Sequence, residues 1–123
     1  MANTSTRKRY RNPPTMEIDA IDPIYRLRER GIVREFLQNH KGLLPLLLEA
    51  PAVIARVFDH VPPLVLEVRT DPEDASCSEL FIYIQTGDPP KEAWAKLKRL
   101  IDEWLIHQAR QSDGLLGVNL EYV

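Results

Sequence analysis

Cysteine is what this 123-residue chain has least of, with Cys77 alone. One thiol cannot close an intramolecular disulfide or build a cysteine-rich zinc cluster, so the fold rests on packing and suits a reducing compartment, with the cytoplasm as the expected location. Long apolar runs are missing too. The longest, Leu43 to Leu48, is interrupted by Pro45 and falls far short of the roughly 20 residues of a membrane span. The opening "MANTSTRKRYRNPP" has basic residues with no apolar run behind them, so neither a secretory signal nor a membrane partner is expected. Nor does one sign of charge dominate. The 16 Lys and Arg against 18 Asp and Glu leave a net charge of −2, an ordinary globular balance and not that of a chain that coats nucleic acid.

Catalytic signatures are equally scarce, since no HExxH, CxxC, GxSxG, P-loop or GxGxxG occurs. His40, His60 and His107 fall in different elements, and the neighbours Asp102 and Glu103 point about 100° apart on a helix. The stretch "TDPEDASCSE" carries Asp71, Glu73, Asp74 and Glu79 without the alternating oxygen ligands and central glycine of a calcium loop. Cys77 has no basic neighbour in sequence to lower its pKa. No catalytic residue, cofactor or metal is therefore assigned, and the reading leans away from an enzyme.

What is present is a set of well-punctuated elements. Residues 1–22 read as a flexible basic tail, with Arg7, Lys8, Arg9 and Arg11 clustered around Tyr10, and residues 23–123 as one domain of the usual size. Asp22 as N-cap with Pro23 behind it predicts a short helix up to Arg30, stopped at Gly31. A second helix follows on Ile32, Val33, Phe36 and Leu37. The run from Leu43 to Phe58 predicts a core helix, kinked or divided near Glu49 and Ala50 by Pro51. Strict alternation then predicts a hairpin, with Leu64, Leu66, Val68, Leu80, Ile82 and Ile84 on its core face. "TDPEDASCSE" is its turn. Asp88 and Pro89 open a long helix over 89–111, whose stripe of Trp94, Leu97, Leu100, Ile101, Trp104 and Leu105 predicts that both tryptophans lie in the core. "GVNLEYV" is a third strand.

This order predicts an α+β two-layer sandwich: N-terminal helices, then β-β-α-β, with a three-stranded antiparallel sheet of order 2-1-3 and the helices on one face. From Ile32 to the end, "REFL", "LLEAP", "LEVRTDPED", "LFIYIQT", "DEWL" and "GLLGVNLEYV" resemble a group of small uncharacterised bacterial proteins, common in cyanobacteria, that share this plan. The stretch after Trp104 and the basic N-terminal extension depart from that pattern. The resemblance implies no reaction; its implication for partners is membership of a two-gene module of the toxin–antitoxin kind.

Two functions fit these observations. In the first, the helix-free face of the sheet presents Val65, Glu67, Arg69, Phe81 and Tyr83 to a protein partner or a second copy. In the alternative, Phe81 and Tyr83 stack the bases of RNA or single-stranded nucleic acid while Arg7, Lys8, Arg9, Tyr10 and Arg11 grip phosphates. A third arrangement, in which Ile18, Ile21, Ile24 and Tyr25 fold over that face, would leave it unavailable.

Overall fold

The computed structural model describes residues 18–123, and the expected Arg7–Arg11 arm lies outside them. The chain is α+β, with a four-stranded mixed sheet under helices. Strand β1 is Arg26–Leu27, helix α1 Arg30–Asn39, α2 Leu43–Phe58, β2 Leu64–Asp71, β3 Asp74–Thr86, α3 Pro90–Glu103, α4 Ala109–Ser112 and β4 Leu116–Tyr122. A 3₁₀ turn over Leu105–Gln108 links α3 to α4.

The sheet runs β1-β2-β3-β4, with β2 and β3 antiparallel and both outer pairs parallel. This corrects the expected 2-1-3 antiparallel order. The crossover through α3 returns β4 beside the strand it left, pairing Ile82 with Val118, because a short right-handed connection reaches the adjacent lane most directly. The lane beside β2 is filled instead by β1, with Arg26 opposite Val65.

The N-terminal helix expected before Gly31 is also replaced. Residues 20–24 turn, β1 follows, and α1 starts at Arg30 with Gly31 inside it. Asp22 does not cap a helix; its carboxylate pairs with Arg30 and Arg34. Ile18 and Ile21 are fully buried, so the end of the expected 1–22 tail packs into the domain. Together with Tyr25 they join the cluster formed by α2, α3 and the inward residues Leu64, Leu66, Leu80, Ile82 and Ile84. They therefore lie on the helix side and do not fold over the opposite face.

Helix α2 continues through Pro51 as one element, so of the expected kink or division the division does not occur. Proline lacks an N–H and so leaves the carbonyl four residues back without its helical donor. Here that carbonyl belongs to Leu47, and the Tyr25 hydroxyl donates to it at 2.6 Å. Packing supplies the remaining restraint, because Leu47, Ala50, Val53 and Ile54 are all buried around the proline.

Helix α3 begins one residue later than expected, at Pro90, and ends at Glu103 instead of continuing to residue 111. Trp104 leaves helical geometry at φ −131. Its ring is buried, and its Nε1 donates to Glu49 Oε1 at 3.1 Å. Trp94, by contrast, is 59% exposed, which corrects the two-tryptophan core. The buried stripe is Ala93, Leu97 and Leu100, and Trp94 stands about 100° away from Ala93 on the helix.

The acidic stretch between β2 and β3 is a turn. Asp71 accepts the Glu73 N–H at 2.8 Å. Asp74 accepts the Ser76 N–H at 3.0 Å and hydroxyl at 2.6 Å, and the Cys77 thiol at 3.3 Å. Register passes from Thr70↔Ser78 to Asp71↔Asp74, so Ala75, Ser76 and Cys77 bulge from the ladder. The bonds from Ser76 hold the Asp74 carboxyl below its ordinary range. Local backbone chemistry occupies these carboxylates.

Candidate functional site

The face of the sheet opposite α2 and α3 is built by alternation. Side chains at 65, 67 and 69 on β2 lie beside those at 83, 81 and 79 on β3, and 81, 83 and 85 lie beside 117, 119 and 121 on β4. The expected partner-binding residues Val65, Glu67, Arg69, Phe81 and Tyr83 thus do share one surface.

Their exposure is not uniform. Val65 and Tyr83 are buried, Glu67 and Phe81 half-buried and Arg69 exposed. Two guanidinium groups account for much of this pattern. Arg28, on the turn after β1, has its Cζ 5.6 Å from the Tyr83 ring centre, a cation–π distance. Its Nη1 donates to Glu67 Oε1 at 3.3 Å and its Nη2 to Glu121 Oε1 at 2.5 Å. Arg69 places Cζ 6.0 Å from the Phe81 centre and donates to the Tyr83 hydroxyl at 2.8 Å. The two aromatic rings stack at 6.0 Å and 27°. The result is a ladder, Arg28–Tyr83–Phe81–Arg69.

Gly117 makes the ladder fit. Any Cβ there would run into the Phe81 ring, so the bare backbone of β4 forms the floor on which the ring lies. Gln85 completes the rim by donating to Glu121 Oε1 at 2.7 Å. The bond from Arg28 holds the Glu121 carboxyl below its ordinary range, and the Arg28 guanidinium is raised in return.

An open groove of about 600 Å³ continues from this face beside the hairpin, lined among others by Arg69, Cys77, Glu79, Phe81 and Leu115. A smaller hollow of about 250 Å³ lies between the α1–α2 turn and α4, around His40, Lys41 and Gln111. The histidines do not converge. His40 meets Phe36 in a tilted ring pair at 4.5 Å, His60 Nδ1 lies 2.9 Å from the Phe58 carbonyl, and His107 sits exposed on the 3₁₀ turn. Among the described residues no three His, Cys, Asp or Glu side chains gather to hold a metal ion, and no helix is long and apolar enough to cross a membrane.

Sequence reasoning missed Arg28 and Gly117. The first sits in a turn where capping signals predict a helix. The second belongs to a strand whose expected place beside β2 would keep it from underlying Phe81. The chain matches no family model, no curated protein and no solved structure.

Proposed function

We propose that this chain is a non-enzymatic protein-interaction module whose contact surface is the helix-free face of the sheet. The observation that carries the reading is the anchoring of Phe81, a half-buried ring held between Arg69 and the backbone of Gly117. Aromatic and arginine side chains dominate binding energy at protein contacts, and a preset pair loses less conformational entropy on binding. Glu67, Gln85 and Glu121 form a bonded polar rim around it, the usual anatomy of a contact patch. Tyr83 supports Phe81 from beneath the Arg28 guanidinium. A cytoplasmic setting fits the single cysteine, and a pairing of the toxin–antitoxin kind is one form the partnership would take.

The test is affinity capture from the native host with the wild-type chain and with Phe81→Ala and Arg69→Ala variants, each first shown to melt as a folded domain. A protein retained by wild type and lost by both variants supports the reading. Retention by both folded variants overturns it. A salt-titrated oligonucleotide assay runs in parallel, and steep salt-dependent binding abolished by Phe81→Ala would move the assignment to single-stranded nucleic acid.

A further inference from the structure

The sheet has two edges of unlike character. On one side β1 is two residues long, the short form that resists pairing with another chain. On the other, β4 is seven residues long, and no described residue pairs with its outer side. Its bonds to β3 use odd-numbered residues: Leu80 donates to the Leu115 carbonyl at 2.7 Å and Val123 to the Thr86 carbonyl at 3.1 Å. Alternation therefore turns the backbone N–H and C=O groups of Leu116, Val118, Leu120 and Tyr122 outward. One described side chain meets them, Asn119, whose Oδ1 accepts the Leu120 N–H at 2.8 Å.

The helix above continues this edge. Lys96 reaches over the Phe58 ring of α2 at 5.5 Å, which marks the α2 side of α3. Trp94 lies about 160° around the helix from Lys96, given 100° per residue. The far flank of α3 thus carries the 59% exposed Trp94 and half-buried Ile101, on the side of β4, whose own end exposes Tyr122.

We propose that β4 pairs antiparallel with β4 of a second copy of this chain, about a two-fold axis at Asn119, joining the two sheets into one. Asn119 is the midpoint of Leu116–Tyr122, so this register overlaps the whole strand. It sets Val118 opposite Leu120 of the partner subunit and Leu116 opposite Tyr122 of the partner subunit, and these four carry the outward backbone groups. Charge also favours it. Glu121, already paired with Arg28, meets Gly117 of the partner subunit, whereas an axis at Glu121 would oppose two carboxylates. The two-fold lays α3 beside its copy and brings Trp94 toward Ile101 of the partner subunit. Asn119 exchanges its bond to Leu120 for the axis, which makes it a competitor of pairing. This inference goes beyond the contact face proposed above and does not depend on it, because Phe81 lies outside the paired edge.

The test uses the full chain with its exposed cysteine removed by Cys77→Ser. At the axis two 119 positions form a pair without mutual backbone bonds, with Cα atoms about 4.5 Å apart, within disulfide reach. Asn119→Cys should then cross-link two chains rapidly on mild oxidation. Tyr122→Cys should not, since six residues at about 3.4 Å separate its copies along the paired strands. In sedimentation velocity the wild-type chain should dimerise reversibly, and Asn119→Asp, which opposes two carboxylates at the axis, should weaken the dimer at least tenfold. A wild-type monomer at the highest soluble concentration overturns the proposal. So does a dimer that Asn119→Asp leaves intact, or one that cross-links through residue 122 in preference to 119.

Discussion

Replacing Tyr25 by phenylalanine removes one oxygen, and the structure says what that oxygen does. Leu47 and Tyr25 are both buried, and the phenol is the donor that reaches the carbonyl orphaned by Pro51. A buried carbonyl left without a partner costs about 1–3 kcal/mol. In a domain of this size that corresponds to a fall in melting temperature of roughly 4 °C per kcal/mol. Pro51→Ala supplies the missing backbone N–H, so in that background Tyr25→Phe should cost at least about 1 kcal/mol less. Urea titrations of the four proteins in the double-mutant cycle measure the difference. A phenylalanine variant as stable as wild type, or an identical cost in both backgrounds, would refute the claim that Tyr25 stands in for the absent N–H. The same phenol gives an alkaline signature. Burial pushes its pKa well above the ordinary value of 10.0, so the folded chain keeps a proton that the unfolded chain releases. Its contribution is complete below that ordinary value and is lost as pH rises beyond it, a decline that Tyr25→Phe should remove.

Trp104→Ala should lower stability by about 3–5 kcal/mol because it empties a packed site, while Trp94→Ala should stay within about 0.5 kcal/mol; thermal melts in parallel, at concentrations where sedimentation shows a monomer, compare them. Gly117→Ala drives a methyl into the Phe81 ring and should cost about 1–3 kcal/mol, with most of the loss recovered when Phe81→Ala is added. The carboxyl of Asp88, bonded to Lys96, and that of Glu121, bonded to Arg28, are both held below their ordinary values. Their contribution is complete above the unfolded values near 4 and is lost as pH falls through the lowered folded ones. Urea titrations at falling pH should show this loss, and Arg28→Gln together with Lys96→Gln should reduce it.

The elements that could be read in advance are those whose pattern is local. The hairpin faces follow from alternation over Leu64–Arg69 and Leu80–Gln85, and of the inward set, Leu64, Leu66, Leu80, Ile82 and Ile84 lie in the core while Val68 is half-buried against it. Strand order was not local in this sense. Both edges of the hairpin offer hydrogen bonds to a returning strand, and the lane beside β2 is taken by β1, two residues with no pattern of their own. The end of α3 is a similar case. Leu105 and Ile106 continue a helical apolar pattern, yet burial of Trp104 against Glu49 coincides with departure from helical geometry, and a contact 55 residues away in sequence leaves no trace in periodicity.

The helix-free face shows why residues that share one side of a sheet can still differ in exposure. Alternation places Val65 and Tyr83 opposite the helices, and by that logic they should meet water. Tyr83 is buried because a long side chain can lay its plane over a neighbouring ring, as Arg28 does here, and guanidinium groups do so at little desolvation cost. Arg28 can cover Tyr83 only because β1 runs parallel beside β2 and delivers the turn after Leu27 to the middle of that face, where the Arg28 N–H bonds the Leu66 carbonyl at 2.9 Å. The same strand that overturned the expected order therefore sets how much of the surface is open. Arg69 and the half-buried Phe81 lie at the mouth of the groove, while Asn119 of β4 is exposed across the same face. A partner that recognises this protein through the sheet would reach Arg69 and Phe81 from that end and meet Glu67 and Glu121 as a rim already paired with Arg28.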